Sequence, residues 1–94
     1  MMFSMHALDA PNAAEKRAKV HLEHVAHLKT AADFGVTITA GGPLLSDDGN
    51  TAIGSLMVLT ARDRAAVESF NKADPFHKNG VWAKVEIQRF DRKQ

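Results

Sequence analysis

Residues 36–60 read VTITAGGPLLSDDGNTAIGSLMVLT, and the order of elements in this stretch decides the fold. Val36–Ala40 and Ala52–Thr60 are rich in β-branched and apolar residues, among them Ile53, Leu56, Met57, Val58 and Leu59. Both runs read as strands. Between them, Gly41-Gly42-Pro43 predicts a turn or a close backbone approach, and Leu44–Asn50 is a polar loop turning at Asp47-Asp48-Gly49-Asn50. No helical pattern separates the two strands.

Upstream, the spacing predicts a helix from about Ala13 to Phe34, with Asn12 as its cap and Gly35 as its C-terminal stop. Val25, Leu28 and Ala32, flanked by Ala18, Leu22 and Ala31, give that helix one apolar side. Before it, Met1–Leu8 reads as a strand carrying apolar residues on both faces, followed by the turn Asp9-Ala-Pro11-Asn12. Downstream, Thr60-Ala-Arg-Asp63 resembles a capping box that opens a second helix through about Ala73. Asp74-Pro75 ends it, because the residue before a proline is pushed out of the helical region. Val81–Phe90 is the last strand, alternating Val81, Ala83, Val85 and Ile87 against Trp82, Lys84, Glu86 and Gln88.

The order β-α-β-β-α-β in one domain, residues 1–94, is the split βαβ of an α+β ferredoxin-like fold. It implies a four-stranded antiparallel sheet with both helices on one face. The other face is then bare, although apolar residues lie on both sides of the strands. A second copy's sheet is the natural cover, so a homodimer with a barrel-like assembly is expected.

Composition narrows the function. Ninety-four residues with 45% hydrophobic and 24% charged side chains suit one small domain. Such a chain buries only about 60–65% of its unfolded surface, which makes oligomerisation useful. Twelve Lys and Arg against eleven Asp and Glu leave a formal charge of +1, without a run of five like charges. That argues against nucleic acid, which needs a clustered basic surface. Cysteine is absent, which excludes disulfides and thiolate ligands and fits a reducing compartment. Met1–Leu8 is too short for a signal segment or a membrane span and has no basic segment before it. A cytoplasmic protein with no membrane partner is expected. There is no glycine-rich phosphate cradle, and no cofactor is expected.

The most distinctive chemistry is histidine. His21, His24 and His27 recur at three-residue intervals, and Asp74 follows His24 by fifty residues. On a helix each step turns about 300°, so the outer two histidines point about 120° apart and do not converge readily on one metal. No HExxH pattern is present either, and a metal is not expected. Three histidines on a solvated helix flank are the plain alternative for the set. An imidazole, with an ordinary pKa of about 6.5, can take or give a proton at neutral pH. A carboxylate on one ring nitrogen would fix its tautomer and stabilise the imidazolium. Asp74 also has an ordinary reading, as a turn residue capping the amides of Phe76 to Lys78. Ser4, Ser46, Ser55 and Ser69 lack a nucleophile-elbow context. A His–Asp pair therefore fits proton abstraction and delivery better than acyl transfer.

Four pieces of the chain resemble the YCII-related family. They are Asp9; Glu15-Lys16-Arg17 with His24-Val-Ala-His-Leu28; Thr39-Ala40-Gly41-Gly42-Pro43-Leu44; and Ala73-Asp74-Pro75-Phe76 followed by Gly80-Val81. The resemblance covers nearly the whole chain. It implies a dimeric ferredoxin-like fold whose pocket contains a histidine and an aspartate, which fall here on His24 and Asp74. It is also similar to muconolactone-isomerase-like proteins, and one branch of the family is linked to dehydrochlorination of chlorinated hydroxyquinols. The family often has arginine where His21 stands, and Gly41-Gly42-Pro43 carries one glycine more than the usual Ala-Gly-Pro.

Asp9, Arg17, Gly42, Pro43 and Phe76 are the candidate substrate-binding residues around that pair. Each has a plainer reading too. Arg17 can pair with Asp9 across the turn instead of binding a substrate carboxylate. A bare turn explains Gly42 and Pro43, and Phe76 reads with Trp82 and Phe34 as core or interface. The leading function is a lyase-, isomerase- or dehydrochlorinase-type enzyme using the His–Asp dyad. The alternatives are a non-catalytic module that binds or senses a small ligand in the same pocket, and an interaction protein in which the polar cluster is structural.

Overall fold

Alternating apolar residues build the sheet. In the computed structural model, which describes residues 1–94, β1 (Met2–Asp9), β2 (Val36–Leu45), β3 (Ala52–Ala61) and β4 (Trp82–Phe90) form one antiparallel sheet. The strand order is β2-β3-β1-β4, the ferredoxin-like arrangement with β1 and β3 central. One face buries Phe3, Met5 and Ala7 of β1 with Ser55, Met57, Leu59 and Ala61 of β3. Helices α1 (Ala14–Leu28), α2 (Arg64–Lys72) and α3 (Pro75–Lys78) cover that face, adding Val67, Phe70 and Phe76 to the core. On the other face Leu8, Leu56 and Phe90 stay exposed, uncovered by any element of this chain. No helix is long and apolar enough to cross a membrane.

Several local expectations give way to tertiary contacts. The first helix ends at Leu28, not Phe34. The Thr30 hydroxyl and amide both donate to the His27 carbonyl, at 2.6 and 2.9 Å, so an α-helical bond to that carbonyl is displaced. A turn of 3-10 helix, Ala31–Phe34, follows and closes on Gly35 at φ 72°. Asn12 does not cap α1; it adopts φ 59° in the turn, and Ala13 is the uncapped N-terminal residue.

The inward phase of α1 also differs. Leu22 is 80% exposed, and Ala18 faces out as well. The packed stripe is Ala13, Arg17, Val20, His24 and Leu28, spaced four and three. Two of its five members are polar, which hides the stripe from a hydrophobic count.

Gly41-Gly42-Pro43 is not a turn. β2 runs straight through it to Leu45, with a bulge between Ile38 and Ala40. A sheet-edge strand tolerates proline because the missing N–H is not needed for a second neighbour. The chain reverses later, at Ser46–Thr51, where the Ser46 hydroxyl and then the Asn50 amide hold the Asp48 carboxyl below its usual pKa. The capping aspartate of α2 is Asp63 itself, accepting from the Ala66 amide at 3.0 Å, because Thr60 and Ala61 still belong to β3. In β4, a register shift opposite Leu8 and Asp9 carries Trp82 onto the core side with Val85 and Ile87.

Gly54 of β3 is buried against β1, and a Cβ there would collide with the Ala7 carbonyl. Gly54→Ala is expected to cost about 1–3 kcal/mol, the usual range for overpacking. Gly42→Ala, with open space around it, should stay within about 0.5 kcal/mol. Urea denaturation of the two variants checks the contrast.

Candidate functional site

Asp74 occupies the extended residue between α2 and α3, held there by the proline that follows. Its Oδ1 accepts the Phe76 amide at 2.8 Å and so caps α3. The same carboxylate faces helix α1: His24 Nδ1 lies 2.8 Å from Oδ1 and 3.0 Å from Oδ2. Asp74 is 1% exposed and His24 8%. Both sequence readings of Asp74, cap and imidazole partner, are thus realised in one side chain.

The tautomer follows from the donors. An ionised carboxylate only accepts, so Nδ1 carries a proton, and in the neutral imidazole the lone pair is on Nε2. Nε2 has no hydrogen-bond partner in the protein, yet it is not among the fully buried unpartnered atoms, which comprise Asn71 Nδ2 alone. It therefore keeps some solvent access, and His24 is one of the residues lining the cavity.

The Phe76 amide bond to Asp74 also fixes the ring beside the imidazole. Phe76 stacks on His24 with centroids 3.8 Å apart and planes 3° apart, and Trp82 meets both rings edge-on. The Arg17 guanidinium sits 4.8 Å from the Phe76 centroid. Arg17 is a hub in its own right. It donates to both Asp9 oxygens at 2.9 and 3.0 Å, to the Gly54 carbonyl at 2.8 Å and to Ser55 Oγ at 3.0 Å.

These groups border a cavity of about 270 Å³ between α1 and the β2–β3 edge. Its apolar wall is Val25, Leu28, Ile38, Met57 and Phe76, and its polar groups are Arg17, His21, His24 and Ser55. Gly41, Gly42 and Pro43 supply the β2 side, where the absence of a Cβ at Gly41 leaves the Met57 side chain uncrowded. Of the candidate residues, His24, Arg17, Gly42, Pro43 and Phe76 come together here. Asp74 stands behind His24, and Asp9 is outside the lining, spent on Arg17.

The other histidines separate. His27 Nε2 meets the Phe70 carbonyl at 2.8 Å and its ring stacks on Phe70, pinning α1 to α2. His21 stands exposed at the cavity rim, while His6 and His77 lie elsewhere. No three His, Asp or Glu side chains converge in a metal-binding group. Sequence reasoning passed over Ser55 as a site residue. Its signal was the strand period: two residues before the buried Met57, it must share the inward face.

The YCII-related domain family matches residues 1–91. The chain belongs to this family. It is 30% identical to an uncharacterised protein of Haemophilus influenzae and 29% identical to Protein YciI of Escherichia coli, over 98% of each chain in both cases. Among solved structures it is similar to the 5-chloro-2-hydroxyhydroquinone dehydrochlorinase TftG of Burkholderia phenoliruptrix in complex with 2,5-dihydroxybenzoquinone. That likeness has a TM-score of 0.84 and 28% identity, and covers 97% of this chain and 94% of that one.

Asp74 and Asp63 both cap helices, but only Asp74 holds a buried imidazole. Asp63→Ala should therefore cost about 0.5–2 kcal/mol, the ordinary loss of a cap. Asp74→Ala should exceed about 2 kcal/mol, since it also strips the partner from a buried group. Equal urea midpoints for the two variants would contradict this account of Asp74.

Proposed function

We propose that this YCII-related chain is a small-molecule enzyme of the lyase or isomerase type, dehydrochlorination included, in which His24 moves the proton and Asp74 orients it. The observation that carries the reading is the Asp74 carboxylate on His24 Nδ1, with Nε2 unpartnered in the protein and His24 lining the cavity. The likeness to a dehydrochlorinase supports the reaction class.

The chemistry follows from that pairing. Nε2 takes a proton from a hydroxyl, or from a carbon beside a carbonyl, and the ionised Asp74 stabilises the imidazolium. The electron pair left on the substrate moves into the ring system. In an elimination from a keto tautomer, whose chlorine-bearing carbon is tetrahedral, it expels chloride from that carbon, so one C–Cl bond breaks, one double bond forms, and the proton on His24 passes to water. In an isomerisation the double bond re-forms elsewhere and the imidazolium returns the proton. The apolar wall limits the water that could compete for it.

Size supports a single ring. A dry cavity of about 150 Å³ accepts benzene, so about 270 Å³ leaves room for a ring with a few oxygen substituents. Asp9, through Arg17, and Phe76, through His24, hold the proposed substrate-binding surface in place, with Gly42 and Pro43 along its β2 side. The uncovered Leu8, Leu56 and Phe90 on the far sheet face support a homodimer packed sheet to sheet. Sedimentation at micromolar concentration should give twice the 10.2 kDa chain mass, and a monomer would remove the dimer from the proposal.

Chloride release from 5-chloro-2-hydroxyhydroquinone, with solvent deuterium exchange into ring ketones as a second assay, tests the activity. His24→Gln should lower the rate about 10²–10⁴-fold, the range for losing a general base. Asp74→Asn should fall comparably by favouring the wrong tautomer. A wild-type protein that binds the ring compounds but neither releases chloride nor exchanges protons would sink the enzyme and leave a ligand-binding module.

A further inference from the structure

Ser55 carries an unspent hydrogen-bond donor into the cavity. It is 4% exposed, on the inward face of β3, and Oγ lies 3.0 Å from Arg17 Nη2 and 3.2 Å from Trp82 Nε1. A guanidinium and an indole N–H can only donate, so Oγ is the acceptor toward both, sharing the two Nη2 hydrogens of Arg17 with Asp9 and Gly54. The remaining tetrahedral direction belongs to its O–H. No acceptor in the protein receives that proton, and Ser55 lines the cavity.

Arg17 is in a similar state. Its Nε and Nη2 are committed to Asp9, Gly54 and Ser55, whereas Nη1 has no partner in the protein and Arg17 too lines the cavity. We propose that the Ser55 hydroxyl and Arg17 Nη1 form a two-donor seat for a negatively charged oxygen of the ligand, an enolate or the oxyanion of a hydroxylated quinone. The proposal rests on the acid–base reading of this same site and adds the group that would receive the charge His24 generates. Arg17, Ser55 and His24 all line the one cavity, so a single small cyclic molecule can meet both the seat and the imidazole. Arg17 and Trp82 hold the serine oxygen with two hydrogen bonds. The donor is therefore aimed before the ligand arrives, which is the condition under which such a group stabilises developing charge.

The seat is tested with 2,5-dihydroxybenzoquinone, whose visible absorption and carbonyl stretch report on hydrogen bonds to its oxygens. Ser55→Ala should raise its Kd about ten- to hundredfold, as expected for losing one hydrogen bond to a charged oxygen. The bound carbonyl stretch should move toward its frequency in an aprotic solvent. Ser55→Thr, which keeps the hydroxyl, should restore both. An unchanged Kd and stretch in Ser55→Ala, a failure of Ser55→Thr to restore them in a folded protein, or no binding by wild type would each overturn the seat. Tight binding with the shifted stretch, but no chloride release or proton exchange, would uphold the seat while removing the enzyme reading.

Discussion

Asp74 receives the Phe76 amide at 2.8 Å and His24 Nδ1 at 2.8 and 3.0 Å while only 1% exposed, and this one carboxylate fixes three parts of the molecule. It starts α3, seats the Phe76 ring and sets the rotation of the imidazole that stacks on that ring at 3.8 Å. A buried charge is costly unless its lone pairs are occupied. Here the occupants are an amide from its own turn and a ring nitrogen from a helix fifty residues earlier. The α1–α3 contact and the geometry of the cavity are consequently the same constraint.

A second polar seam runs along the inward face of α1. Arg17 ties Asp9 at the end of β1 to Gly54 and Ser55 of β3, and it covers one side of Phe76. Placing a half-buried arginine and a buried histidine on the packed stripe gives up hydrophobic area that leucine at the same positions would supply. The compensation is hydrogen bonding with few loose ends: among fully buried side-chain polar atoms only Asn71 Nδ2 lacks a partner. Groups held this firmly make a preorganised pocket, which suits the proposed proton chemistry better than a flexible one would.

The fold was legible because it rests on periods and punctuation. Two apolar runs without a helix between them, two helical stretches and a final alternating strand yield the β-α-β-β-α-β order, and the sheet order agrees with it. The errors cluster where side chains act across the chain. The phase of α1 is not legible along the chain because its inward stripe contains Arg17 and His24, whose reason for facing inward lies on β1, β3 and α3. Gly41-Gly42-Pro43 looked like a turn because glycine and proline break isolated strands, whereas an edge position in a sheet accommodates both. Trp82 changed faces because of a register shift that only its pairing with β1 creates.

For the site, the sequence by itself determined the residue types, the helix carrying His24, the proline-fixed position of Asp74 and membership of the YCII-related pattern. Local chemistry suffices for those, since spacing along one helix and the restriction before a proline do not depend on the rest of the chain. Only the tertiary structure decided that His24 and Asp74 meet, that His27 turns to Phe70 and His21 to the rim, and that Arg17 is tied to Asp9. It alone placed Ser55 Oγ between two donors, Arg17 and Trp82, on the wall of the cavity. Each of those facts joins residues between eight and fifty positions apart. Their directions in space are set by how the helices dock on the sheet, and no pattern along the chain encodes that docking.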